Sequence, residues 1–494
     1  MNLTGTQSEP SGLEGLDPAG TGRVFWNLGT AVLCERAVAR GEVRLSATGA
    51  LAVTTLRGEP DLRLARVEDG EAGAPPASIA RLTRDQFEAL KADLLAYVAR
   101  RTLFGQDIRV AAGPSRHVAL RLLSDQAWHA LAIRHLMAAC EPASGEAPRL
   151  TILCAPGFHP VEETHGVRGD GVVALDLASG LALVAGTARS AAVRAALAHL
   201  LAAPLAEAGL LPLDGAVSGG PVTLFIGAPG SGKSTLAAGP TEQGLPVFDG
   251  ALGWGDDGLV ALETGRYARP ADLAAAPDAR QAAQSFGALL ENVALDPARR
   301  TVDLTAGGAD DARLLLPALN GGTPALGAPA HLFVLIRDES GALPALARLN
   351  PAQALGPLLS EAGRPAPGAD SDRLRGLLER HSPACWLLNT GRIGDETGSR
   401  VPLVASRRLV DAARASEIAD SAWRTDPHLG LQVPVAVEGV DAALLDPAGA
   451  WANRDDYAAA ARRWAERFVA GRSVDEVPAE ADGAAPSGMA VAAE

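Results

Sequence analysis

The run Val222-Thr-Leu-Phe-Ile226, followed without a gap by Gly227-Ala-Pro-Gly-Ser-Gly-Lys-Ser-Thr235, constrains the fold of this 494-residue chain more than any other segment. Five apolar, β-branched and aromatic residues predict a buried strand. The glycine-rich stretch then satisfies GxxxxGK[ST] in the context that pattern requires, directly behind a strand. Each residue type has a chemical reason. Gly227, Gly230 and Gly232, with Ser231 between them, let successive backbone N–H groups turn inward around phosphate oxygens. Lys233 supplies a compact positive charge to β/γ-phosphates, and the Ser234 hydroxyl, ahead of Thr235, can ligate Mg²⁺. The positive end of the following helix adds to the anion site, and Gly239-Pro240 predict that this helix is short.

Composition sharpens the point. Lys91 and Lys233 are the two lysines; the other 42 basic residues are arginine. Lys91 falls in Phe87-Glu-Ala-Leu-Lys-Ala-Asp-Leu94, an amphipathic helix face where arginine would serve equally well. At position 233 a planar guanidinium would not fit a loop built around a compact ammonium. The net charge of −14 argues against nucleic acid or an anionic membrane as partner. Apolar runs are interrupted well before the length of a membrane span, and the N-terminus has no basic-then-apolar export pattern. A cytoplasmic, monomeric protein is expected. The four cysteines, Cys34, Cys140, Cys154 and Cys385, lie far apart and propose neither a zinc site nor a disulfide framework.

Strand-like runs at Gly171–Leu177 and Leu181–Ala185, and a helix pattern from Ser190 to Leu205, predict an α/β chain. The Gly/Pro/Ser segment around 211–221 is the expected internal boundary, giving an N-terminal α/β domain over 22–215 and a P-loop domain over 216–473. The segments 1–21 and 474–494 are expected to be disordered tails. Leu245-Pro-Val-Phe-Asp249 predicts a short strand ending in an acid, where P-loop proteins usually hold their metal, and Leu332–Ile336 leading to Asp338 has the same shape. Either acid could equally be a capping aspartate at a strand end. The pair of histidines and acids in His159-Pro-Val-Glu-Glu-Thr-His165 reads as a solvated loop, and Trp128, His129 and His135 as core and surface of one helix.

Beyond the loop, an ordered series of short motifs resembles ATP-dependent phosphoenolpyruvate carboxykinase from about Val24 to Arg472. Gly253-Trp-Gly-Asp-Asp-Gly258 and Glu263-Thr-Gly-Arg-Tyr-Ala268 are similar to the family's GWDDDG and EGGCYA stretch. Ala288-Leu-Leu-Glu-Asn-Val293, Leu343–Leu349 and Leu388-Asn-Thr-Gly391 resemble its ALLENV, LPPVSRL and VNTG segments. The resemblance implies a two-domain α/β carboxykinase-like fold with a P-loop mononucleotide-binding C-terminal domain and an active site in the cleft between the domains. The family converts oxaloacetate and ATP to phosphoenolpyruvate, CO₂ and ADP, a gluconeogenic reaction. It uses Mg²⁺ on the nucleotide and a second metal, commonly Mn²⁺, at the substrate. Carried over by position, Lys233, Arg348 and Arg57 are the catalytic candidates and Ser234 and Asp249 the metal candidates. Arg57 aligns with an arginine that grips a small carboxylate, Arg348 with one that reaches the transferring phosphoryl. The second-metal ligands are missing: Arg194 and Ala195 stand at two lysine positions, Arg189 at a tyrosine and Gly250 at an aspartate, and Gly215–Pro221 is too short for the histidine segment. Two readings follow. One is an ATP-dependent carboxykinase or phosphotransferase with altered chemistry; the other is a nucleotide-binding regulatory protein. ATP and GTP are not distinguished.

Overall fold

The structure, a computed structural model, describes residues 2–5, 23–55, 63–68, 79–113, 116–137, 148–167, 171–238, 247–270, 277–303, 312–316, 325–361, 368–395, 398–418 and 422–470. The chain divides into two compact units, Met1–Leu210 with Ala261–Pro324, and Leu211–Val260 with Ala325–Glu494.

In the first unit, nine strands among the described residues form one mixed sheet. Its middle is Leu150–Ala155, Leu181–Ala185 and Val172–Asp176, apolar runs buried throughout, as expected where both faces are covered. The helix Arg84–Val98 starts at a capping box in which Thr83 and Gln86 satisfy each other's backbone N–H. A smaller sheet pairs Leu289–Glu291 in parallel with Leu51–Val53. That pairing joins 261–324 to the N-terminal part of the chain.

The second unit carries a ten-stranded sheet among the described residues. Thr223–Gly227 lies between Leu211–Ser218, antiparallel to it, and His331–Ile336, parallel to it; Ala384–Asn389 extends the parallel set. One register row crosses six strands: Asp249, Ala216, Phe225, Phe333, Trp386 and Arg348. In-register neighbours share a face of a pleated sheet. Phe225 stacks on Phe333 at 5.4 Å between ring centroids, and Phe333 on Trp386 at 6.1 Å. The C-terminal helix Arg454–Ala470 is tied down by the Tyr457 hydroxyl, which donates to Asp426 Oδ2 at 2.7 Å.

Several expectations change. Asn2–Gly5 is a strand paired with Arg23–Trp26, so the N-terminal tail is not wholly unstructured; 6–22 and 471–494 lie outside the described residues. The expected boundary at 215/216 falls inside the strand Leu211–Ser218, and 261–324 leave the second unit for the first. Asp249 does not end a strand; it is the third residue of Val247–Gly255. Trp128, His129 and His135 are all buried on the helix Ala127–Leu136. His165 is no solvated loop residue: it is buried at the end of a short helix, with Nε2 3.1 Å from Asp93 Oδ2.

Phe225 carries the centre of the second unit's core, fully buried beneath the loop it leads into. Phe225→Ala is expected to cost about 3–5 kcal/mol in urea denaturation followed by tryptophan fluorescence. A loss under about 1 kcal/mol would mean that the aromatic row does not organise this unit.

Candidate phosphate-binding site

The loop leaves the sheet at Gly227 and re-enters regular structure at the helix Lys233–Ala237. Gly230 and Gly232 sit at φ +84° and +101°, a region glycine enters without steric cost. Gly227 is required for a different reason. A Cβ there would stand 2.5 Å from Ser231 Oγ and 2.7 Å from the Leu335 carbonyl oxygen. Ala228, Pro229 and Gly230 form the exposed tip, whereas Lys233 is only 9% exposed. The Lys233 ammonium reaches back across the loop, donating to Gly227 O at 2.5 Å and Ala228 O at 3.3 Å. The helix is five residues long, so its dipole would add little to an anion site, which would rest mainly on backbone N–H groups of the loop.

A second segment braces the loop. Thr390, just beyond the strand Ala384–Asn389, donates its hydroxyl to Ser231 O at 2.8 Å. Asn389 is fully buried, and its amide fills all of its hydrogen-bonding capacity: Oδ1 accepts from the N–H groups of Asp338 and Gly391, and Nδ2 donates to Leu343 O and Arg392 O. Asp338, also fully buried, accepts from the N–H groups of Ser340, Ala342 and Leu343, the Ser340 hydroxyl and the Trp464 indole. Its carboxylate is spent on shaping a turn, which removes it as a metal candidate.

The structure brings Gly227, Gly230, Ser231, Gly232, Lys233, Ser234 and Thr235 together in one loop and helix start. Asp249 lies two strands to one side of the loop strand and Arg348, which is exposed, three strands to the other. At the usual strand spacing these two Cα atoms are about 24 Å apart along the sheet. They share the face of the Phe225 row, and Gly227, two residues beyond Phe225, presents that same face to Ser231. Arg57 lies outside the described residues.

Hydroxyl and carboxylate oxygens from Ser234 and Asp249 are hard donors of the kind Mg²⁺ takes. At the positions where the resemblance implies second-metal ligands stand Arg194, Ala195 and Gly250. Within the first unit, Arg194 makes two hydrogen bonds to the buried Glu263, Nε to Oε1 at 2.8 Å and Nη2 to Oε2 at 3.1 Å, and its guanidinium lies over the Tyr267 ring at 5.5 Å. Arginine offers no lone pair to a metal. Ala195 and Gly250 carry no donor at all, and no group of three or more His, Cys, Asp or Glu among the described residues could hold a metal ion.

A strand entering a glycine loop that closes on a buried lysine defines a P-loop α/β protein. Comparison with known families matches residues 22–361 and 364–443 to phosphoenolpyruvate carboxykinase, the ATP-dependent kind. Phosphoenolpyruvate carboxykinase (ATP) of Rhodopseudomonas palustris (strain BisB5) is 32% identical over 542 residues, covering all of both chains. The same enzyme of Agrobacterium fabrum is 33% identical over 539 residues, again covering all of both, and that of Brucella anthropi is 33% identical over 90% of this chain and 91% of its own. The chain belongs to the ATP-dependent phosphoenolpyruvate carboxykinase family. No helix among the described residues is long and apolar enough to cross a membrane.

Sequence reading assigned no role to a buried network in the first unit. Ser190 Oγ donates to Glu291 Oε2 at 2.5 Å, Thr55 Oγ1 to Glu291 Oε1 at 3.1 Å, and Asn292 Nδ2 to Thr55 Oγ1 at 2.8 Å. The available signal was Glu291-Asn292 inside an otherwise apolar run, since a charge there must find partners. Burial pushes the Glu291 carboxyl above the usual range, against the pull of the Ser190 and Thr55 hydrogen bonds and the Arg189 charge. The folded protein therefore holds this proton more tightly than the unfolded chain. The stability that follows is present below the ordinary carboxylate pKa and is lost as pH rises through the raised value. Relative to wild type, Glu291→Gln is expected to gain melting temperature as pH rises above the ordinary carboxylate range; a difference independent of pH would contradict this assignment.

Proposed function

We propose that this chain binds ATP at Gly227–Thr235 and uses it in phosphoryl transfer to a small carboxylate. The reaction would derive from the family's conversion of oxaloacetate and ATP to phosphoenolpyruvate, CO₂ and ADP, altered by the replaced second-metal positions. The observation that carries this reading is the buried Lys233 ammonium tied to Gly227 O and Ala228 O. Burying an ammonium in a chain that otherwise uses arginine is costly and has a purpose where phosphate oxygens arrive to share it. The ties fix the ammonium over the loop before ligand arrives, so little ordering entropy is lost on binding. Loop N–H groups and Lys233 stabilise charge on the β/γ-phosphates, and Arg348 and Arg57 supply guanidinium groups for the moving phosphoryl and the substrate carboxylate. Mg²⁺, held through Ser234 and Asp249, would neutralise phosphate charge.

A second reading, a nucleotide-binding regulatory relative, is favoured by the Arg194–Glu263 pair, which puts a satisfied ion pair where a metal-binding lysine would stand. Calorimetric titration of Mg·ATP, run beside a coupled assay with Mn²⁺, ATP and oxaloacetate, separates the two. Wild type is expected to bind Mg·ATP, and Lys233→Ala to weaken binding on the order of a hundredfold. Mn²⁺ titrated without nucleotide and followed by electron paramagnetic resonance is expected to find no tight site. Oxaloacetate turnover at ordinary enzyme rates, lost in Lys233→Ala, would restore the unaltered family reaction. Binding without turnover of any carboxylate acceptor favours the regulatory reading, and a wild type that binds no nucleotide ends both.

A further inference from the structure

In a trans peptide the carbonyl and the following N–H point in opposite directions. A hydrogen bond that holds Ser231 O therefore also sets where the Gly232 N–H aims. Thr390 Oγ1 makes that bond at 2.8 Å. The Ser231–Gly232 peptide needs such a restraint. Gly232 sits at φ +101°, where glycine passes readily to the other sign of φ, and a Cβ placed on it would meet nothing closer than Leu236 Cδ1 and Thr390 Cγ2, each at 4.0 Å. Sterics alone leave this plane able to flip.

Ser231 cannot restrain it with its own side chain, because Ser231 Oγ is buried and makes no hydrogen bond among the described residues. Lys233 controls the far end of the loop, at Gly227 O and Ala228 O, and the Ser231 N–H closes the tip on Ala228 O at 3.0 Å. None of these contacts reaches Ser231 O. Thr390 can restrain it because Thr390 is itself held rigidly. Its N–H donates to Ile336 O at 2.9 Å, and the preceding Asn389 is locked by four side-chain hydrogen bonds into the turn built on Asp338.

We propose that Thr390 is a positioning residue for the phosphate loop: its hydroxyl holds the Ser231–Gly232 peptide so that the Gly232 N–H is presented to bound phosphate. Its hydroxyl acts through the peptide it holds. The inference rests on the reading of this loop as a nucleotide site. It makes the segment Leu388-Asn-Thr-Gly391 a working part of that site.

The test is calorimetric titration of Mg·ATP into the full chain as wild type, Thr390→Val, Thr390→Ser and Lys233→Ala, with the melting temperature of each. Valine keeps the shape and removes the hydroxyl; serine keeps the hydroxyl. Thr390→Val is expected to bind about three- to tenfold more weakly. Thr390→Ser should stay within about twofold of wild type, and both should melt within about 3 °C of it. Wild-type affinity in Thr390→Val, with binding lost in Lys233→Ala, overturns this proposal and leaves the nucleotide site standing. Equal weakening in the valine and serine variants overturns it too, since the hydroxyl is then not the agent. A wild type that binds no nucleotide removes the site and this proposal together.

Discussion

The parallel ladder that joins Thr223–Gly227, His331–Ile336 and Ala384–Asn389 is the constraint on which the second unit depends. Gly227 is level with Leu335, and Leu335 with Leu388. A slip of one residue on any of these strands would turn its buried side chains to the opposite face. It would break the Phe225–Phe333–Trp386 stack and also move Thr390 off Ser231. Core packing and loop geometry are thus secured by one register. The hydrophobic term supplies the energy, and the pleat converts it into positional accuracy at the strand ends.

Polar groups are handled in two ways. In the second unit Asn389 spends its hydrogen-bonding capacity on backbone groups, and Asp338 accepts from backbone N–H groups, the Ser340 hydroxyl and the Trp464 indole; what they gain is a turn of fixed shape. In the first unit the partly exposed Arg194 pairs with the buried Glu263, and Glu291 forms a buried hydrogen-bonded cluster with Ser190 and Thr55. Such clusters add little net stability, because desolvation offsets attraction, but removing one partner from them is costly. Arg194 fits that logic. A planar fork satisfies both oxygens of Glu263, and a compact ammonium would not.

The loop was legible in the sequence because its chemistry is local: a strand, three glycines, a lysine and a hydroxyl in fixed order. The family was legible because its short motifs run in order along the whole chain, and the matched range bears this out. The course of the chain between units was not legible. Residues 261–324 join the first unit through the pairing of Leu289–Glu291 with Leu51–Val53, a contact between segments more than two hundred residues apart that no local pattern announces. Asp249 failed as a strand end for a similar reason: Gly250-Ala-Leu-Gly does not read as strand, yet pairing with Leu211–Ser218 carries the strand on to Gly255. Tertiary pairing overrode propensity there. Nothing in the sequence marks Thr390 as a partner of the loop, since a hydroxyl's partner 159 residues away is invisible in one dimension.

The return of 261–324 to the first unit also has a consequence for biogenesis. Chain leaving the ribosome cannot complete the first unit's smaller sheet when residue 210 emerges, because its partner strands at 289–291 and 313–316 are not yet made. By the time those strands are made, the glycine loop and its strand have appeared, without His331–Ile336 or Ala384–Asn389 to pair with. Each unit thus waits for sequence that lies beyond part of the other. Folding dominated by such distant pairings is slow and leaves strand edges open in the interval. The first unit can therefore close only when the opening strands of the second are already in the chain and still unpaired.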